Sequence, residues 1–392
     1  MDYQHKLLKT SPKPFLMNLK LSILTITCYC VVCSSCKEIE GKHWMIESEH
    51  GPLRLELVTD SITVPFAMSF LDNNTMIVSD RPVGDMILVN VTDGIRTKVK
   101  GVPVVSNKGD GGLLDILPHP QYKTNHELFF VYSFQSDQGF SLAVERAKLE
   151  GDSLIIIKRL FTAQPYYDHA SFYGSRLLYQ DGYLFISTGV DKSKQDSAQL
   201  LTNHLGKIMR IEEDGSVPKD NPFVNTPGAR PEIWCYGTRN AQGLTINPIT
   251  NEIWEHEHGP MGGDEINILK SGKNYGWPIT TYGKDYDGKL VGGGLTQKEG
   301  MEQPFHYYAP SIAPSGMAFY TGEKYPKWKG NLFIGSMVLM HLNRLTIRDG
   351  LVVNEERLLK AMKWRVRNVV QGPDGYLYIG VDGGMILKIL PG

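Results

Sequence analysis

The body of this chain has almost no cysteine. Of 5 cysteines in 392 residues, Cys28, Cys30, Cys33 and Cys36 crowd the N-terminus, and Cys235 alone lies beyond residue 36. That excludes an intrachain disulfide in the body and any zinc site of paired-cysteine type, so the fold must rely on its core. An excess of one charge sign is also missing: 41 Lys+Arg against 42 Asp+Glu leave a net charge of −1. No basic stripe appears, and nucleic-acid binding has no electrostatic support. Long helical periodicities and long apolar runs are absent too. What the chain has in quantity is 40 Gly, 22 Pro and 19 Tyr, a composition of many turns and a β-rich body.

Residues 17–36, MNLKLSILTITCYCVVCSSC, carry a lysine, a short apolar run, then small residues and a cysteine. This is the layout of a secretory signal, too quickly terminated for a membrane span. Its end resembles a bacterial lipoprotein signal with Cys36 as the lipidated residue. Cys33 stands where that motif usually has Leu or Val, and ordinary secretion is the alternative. Met17 is a possible true start. The expected organisation is a leader over 1–36, a tether over 37–51 and one domain over 52–392.

Within that domain one pattern recurs, a tight polar turn followed by a run of aromatic and β-branched residues. It appears at 71–80, 125–134, 180–189, 250–259, 329–338 and 373–382. Such units are hairpin corners. Recurrence at roughly 40–50 residues, stretched by insertions, is what propeller blades give. Six units predict a six-bladed β-propeller, closed by pairing of LRLELV (53–58) with MILKIL (385–390). Two stacked β-sandwiches are the rival fold. The insertion over 260–328 is expected near the site, with substrate specificity in variable loops such as 279–303.

The densest polar stretch is 232–278. Arg239-Asn240 are adjacent, Glu255-His256-Glu257-His258 run into Gly259-Pro260, and Asp264-Glu265 follow a Gly-Gly pair. On a strand, alternation sends the two histidines to one face and the two glutamates to the other, which disfavours a four-ligand metal site. Arg365 and Arg367, two apart, are expected to point the same way and fork around a carboxylate.

RN-x-QGL, HGPxGGDEIN and NYGWP in this order, with GGLLDILPHP (111–120) and WRVRNVVQGPDGYLYIGVDGG (364–384), resemble the glucose/sorbosone dehydrogenase family. The likeness runs from about residue 55 to the C-terminus and is greatest to its soluble aldose sugar dehydrogenases, propellers that carry pyrroloquinoline quinone (PQQ) and calcium. The resemblance implies cofactor contacts from Arg239, Asn240, Tyr286, Arg365 and Arg367, calcium coordination by the carbonyls of Gly259 and Pro260, and a further calcium position at Glu265 and Tyr275. Arg239 would stabilise negative charge on the reduced quinone. A flat tricarboxylated quinone needs cations and a hard, oxygen-ligated ion, which these residue types supply. Partners implied are a sugar, an external electron acceptor and, through Cys36, a membrane contact by lipid alone.

Three positions depart from the family. Its general-base histidine is replaced by Phe172, the carboxylate that orients that histidine by Val190, and a cofactor-binding glutamine by Asp110. His169 and Asp191 lie close by in sequence as possible substitutes. Two functions therefore stand: an exported PQQ- and calcium-dependent aldose dehydrogenase, or a catalytically degenerate propeller that binds a sugar, PQQ or a protein. A lactonase-like metal hydrolase has little in its favour.

Overall fold

The computed structural model describes residues 43–169 and 173–392. Cys36, the leader and Phe172 lie outside the described residues. The rest is a six-bladed β-propeller. Blade 1 comprises strands 65–70, 75–80, 85–90 and 96–98; blade 2 comprises 113–118, 127–136, 139–150 and 153–162. Blade 3 comprises 177–180, 183–187, 207–212 and 233–236; blade 4 comprises 241–246, 253–257, 264–268 and 306–308. Blade 5 comprises 314–319, 332–336, 341–348 and 351–358. Each of the six turn–strand units read in the sequence is the corner leading into the second strand of a blade. Successive first strands touch one another around the ring, from blade 1 through blade 6 and back.

Blade 6 closes the ring. Strands 366–371, 377–381 and 385–391 come from the C-terminus, and strand 51–59 pairs antiparallel with the last of them, Leu55 opposite Ile389. The expected closure is therefore observed. The expected start of the domain at residue 52 is corrected, because His43–Ser48 forms a fifth strand against 51–59. Residues 43–51 belong to the sheet and are not tether.

The inner strands, such as 253–257, 332–336 and 377–381, are buried on both faces, because each blade packs against a neighbour on either side. Near the axis this packing includes charge. The fully buried Arg176 donates to the carbonyls of Phe66 (2.8 Å) and Gln242 (2.9 Å), and its guanidinium lies 4.0 Å from the Phe66 ring centroid. It ties together strands of blades 1, 3 and 4.

Candidate active site

The sequence stretch 232–278 builds one wall of the site, and two buried carboxylates fix its backbone. Strand 253–257 sends its glutamates and histidines to opposite faces, as alternation requires. Glu257 accepts from the backbone N–H groups of Arg239 and Asn240 and pins that pair in place. Burial pushes its pKa up to about 7 against the pull of those donors. On the other face His256 Nε2 donates to Gly316 O (3.2 Å) and His258 Nε2 to Pro314 O (2.7 Å), joining blade 4 to blade 5. No four-ligand cluster forms from these residues.

Asp264 is the second of these carboxylates. It is fully buried, and its Oδ1 accepts from Gly259 N (2.9 Å). Its Oδ2 accepts from Ser311 Oγ (2.7 Å), Ile312 N (2.8 Å) and Ala313 N (2.9 Å). One carboxylate thus shapes the HGPMGG turn and the facing 311–313 turn. Nothing larger than glycine fits at 259, where a Cβ would lie 2.2 Å from Gly262 O.

These turns open on a cavity of about 610 Å³, within the usual range for small-molecule sites. Arg81, Arg239, Arg365 and Arg367 contribute guanidiniums to its lining, with Asp110 as the facing carboxylate. Asn240, Gly259, Pro260 and Tyr286 complete the expected set there. Arg367 holds Asp382 by two bonds (Nε to Oδ1, 2.8 Å; Nη2 to Oδ2, 2.6 Å), and Arg365 Nε donates to the same carboxylate at 3.0 Å. The two arginines do converge, although Arg365 precedes the strand, which begins at Val366. Asp382 as their common partner was not foreseen, and its position in the V-D-G-G turn carried no signal of it.

Arg239 lies across the floor. Its Nη1 donates to His258 O (2.8 Å) and Gly259 O (3.0 Å), it hydrogen-bonds Tyr286, and its guanidinium sits 5.2 Å from the Trp277 ring centroid. Burial lowers its pKa from the usual guanidinium value. Asp110, which stands where the family has a cofactor-binding glutamine, acts against the lowering of the Arg81 pKa that burial causes.

A second cavity of about 390 Å³ shares Asp110, Arg239, Pro260 and Tyr286 with the first. Its far wall carries His169, Asp191, Ser193 and Gln195, with Trp277 beside them. Trp277 is held from behind, because Gln199 Nε2 donates to its carbonyl at 2.6 Å. Val190 does not reach either cavity. It is 1 % exposed and packs in an apolar cluster with Phe140, Tyr167, Ala198, Leu205 and Trp277.

Glu265 and Tyr275 stand apart from both cavities. Glu265 is cross-strand from Glu257, with Glu255 and Asn267 paired beside them. All three glutamates are buried, and burial pushes each carboxyl above its usual range. Glu255 Oε1 and Asn267 Oδ1 have no hydrogen-bond partner. The Tyr275 hydroxyl is occupied, accepting from Lys270 N and donating to Ile268 O at 2.8 Å each. Only its backbone carbonyl is left for an ion.

Comparisons agree with this geometry. The model of the glucose/sorbosone dehydrogenase family matches residues 62–388. An aldose sugar dehydrogenase of Escherichia coli, YliI, is 38% identical over 347 residues, covering 86% of this chain and 93% of its own. The crystal structure of the soluble aldose sugar dehydrogenase of Escherichia coli in its apo-form superposes with a TM-score of 0.83 at 37% identity, over 87% of this chain and 100% of that one. Quinoprotein glucose dehydrogenase B of Acinetobacter calcoaceticus is 28% identical over 262 residues, 59% of this chain and 54% of its own. With a family match over most of its length, an aldose sugar dehydrogenase among its relatives and a six-bladed propeller around an arginine-lined cavity, the chain belongs to the glucose/sorbosone dehydrogenase family.

Proposed function

We propose that the protein is an exported, PQQ- and calcium-dependent dehydrogenase that oxidises the anomeric hydroxyl of an aldose and passes the electrons to an external acceptor. The observation that carries this reading is the excess of guanidinium over carboxylate in the larger cavity. Arg81 Nε is buried there without a hydrogen-bond partner. A buried donor left unpaired costs on the order of 1–3 kcal/mol, which an anionic ligand would recover. The quinoprotein named among the relatives supports the same cofactor.

PQQ carboxylates suit Arg365, Arg367 and Arg81, with Arg239 and Asn240 toward the quinone. When bound, the quinone supplies the two-electron sink for the hydride from C1, and calcium polarises its reactive carbonyl. The carbonyls of Gly259 and Pro260 would supply oxygen ligands of the kind a hard ion needs, with Gly259 O accepting from Arg239 Nη1 (3.0 Å) in this structure. Glu265, with its orphaned neighbours, offers a second buried place for such an ion. Arg239 would hold negative charge near the quinone oxygen, Trp277 would wall the sugar side against water, and Ser193 and Gln195 would meet sugar hydroxyls. A lipid on Cys36 would keep the propeller at a membrane surface.

The rival reading, a binding propeller without turnover, draws on Phe172 and Val190. Mixing mature protein with PQQ and calcium, then adding aldoses and an electron-accepting dye, separates the two. We expect the bound quinone's absorbance and dye reduction. Absence of uptake at micromolar PQQ sinks the cofactor, and uptake without dye reduction on any aldose leaves the binding propeller.

A further inference from the structure

We infer that His169 is the catalytic base of this chain, its Nε2 taking the proton of the substrate hydroxyl with Asp168 as its positioning residue. The inference rests on the reading of the site as a sugar dehydrogenase. Oxidation of an anomeric hydroxyl breaks a C–H and an O–H bond. The hydride goes to the quinone of the proposed function and the O–H proton needs an acceptor in the cavity. Val190 supplies none, being aliphatic and sealed in an apolar cluster.

His169 has the required placement. It lines the smaller cavity with Arg239, Trp277 and Tyr286, and its side chain is 46% exposed. Nδ1 donates to Asp168 Oδ1 at 2.6 Å. That carboxylate lies outside the cavity lining and orients the ring so that Nε2 points to the cavity side, against Asp191. Nε2 faces Asp191 Oδ2 at 3.0 Å and Ser193 Oγ at 3.4 Å, both from residues that line the cavity. Ser193 Oγ thus places a hydroxyl beside the nitrogen, the group a substrate would bring. The segment carrying these partners is fixed in turn, since Asp191 Oδ1 accepts from Ser193 N (2.8 Å) and Ser193 Oγ (2.6 Å). An imidazole oriented by a carboxylate on Nδ1 can serve as a general base once Nε2 is deprotonated and a substrate hydroxyl takes the place of its contact with Asp191.

The charges around the ring set its pH behaviour. Hydrogen bonds to Asp168 and then Asp191 raise the His169 pKa above its usual value. Burial opposes them, and Lys194 lies 3.5 Å from Asp168. Lys192 is paired with Asp285 at 2.6 Å, and Asp110 and Arg239 face the same cavity. A base must be neutral to act, so turnover should rise with pH through that raised pKa. Asp191→Asn, which can still cap Ser193, should move the rise to lower pH.

The test uses the holoprotein with PQQ and calcium. His169→Gln should lower kcat on the order of 100-fold or more, with parental quinone absorbance and a KM within about twofold. His169→Gly should recover part of kcat on addition of imidazole. NMR titration of the histidine ring protons, with His169 assigned by its loss in His169→Gln, should give a midpoint above the usual value that falls in Asp191→Asn. Parental turnover in His169→Gln, or a midpoint indifferent to Asp191, overturns the inference and leaves the dehydrogenase standing. Absence of turnover in the parent despite bound quinone overturns both.

Discussion

Asp264 carries four hydrogen bonds on two oxygens, to Gly259, Ser311, Ile312 and Ala313, and so holds both turns that flank the larger cavity. Asparagine is nearly the same size but replaces one acceptor oxygen with a donor that would face N–H groups. Asp264→Asn should therefore cost roughly 1–3 kcal/mol in denaturant unfolding and weaken PQQ uptake at least tenfold. Unchanged uptake would mean that the turns hold without it. Val190 makes the opposite case. In sequence it marks a missing carboxylate, and Val190→Asp looks like a repair. In the fold it lies among Phe140, Leu205 and Trp277, so the substitution should lose roughly 3 kcal/mol or more by burying an unpaired charge. Motif residues such as Arg239 and Arg367 were legible because their types and spacing are themselves the chemistry. The roles of Asp382 and Asp264 were not, because an aspartate beside a turn looks the same whether it faces solvent, a guanidinium or a row of backbone N–H groups.

Segment 192–199 carries Ser193 and Gln195 to the smaller cavity, and one of its anchors is a side chain of blade 3. Lys207 is fully buried, and its ammonium donates to Ser197 O (2.9 Å), Ala198 O (2.9 Å) and Leu205 O (2.6 Å). Lys207→Met keeps the length and apolar stem but removes three buried hydrogen bonds, although Ser197 O keeps Leu200 N (3.1 Å) and Ala198 O keeps Gly237 N (3.1 Å). It should cost roughly 3 kcal/mol and raise KM for the sugar more than it weakens quinone uptake. Equal loss of both would show that the lysine supports the whole propeller and not this segment. At the scale of elements the sequence was most legible, since each turn–strand unit announced the corner before a second strand. Strand 43–48 escaped for a physical reason. It is an outer strand of alternating exposure, and its contact partner Trp364 meets Trp44 edge-on at 5.3 Å from 320 residues away. No local pattern encodes such a meeting.

The ring as a whole depends on one pairing between chain ends, and its two terminal strands differ in what they hold. Strand 385–391 lies between 377–381 and 51–59 and buries Leu387 and Ile389 against Leu55. Removing it would leave two backbone edges open and split the cluster that joins blade 6 to blade 5. Closure in a propeller is cooperative, because first strands support one another only around a complete circle. Strand 43–48 is outermost. Its loss removes one ladder, the Trp44–Trp364 contact and the Glu49 partner of Arg344 (2.8 Å). Arg344 keeps Glu356 at 2.6 Å, so no buried charge is abandoned. Deleting 43–50 from mature protein should thus lower stability by roughly 2–4 kcal/mol while keeping one cooperative transition and full quinone uptake. Deleting 385–392 should abolish the transition and the uptake together, because Asp382 and its two arginines sit at the base of that strand. Calorimetry of the two truncations decides the matter. A cooperative melt without 385–392 would show that the ring does not need its closure.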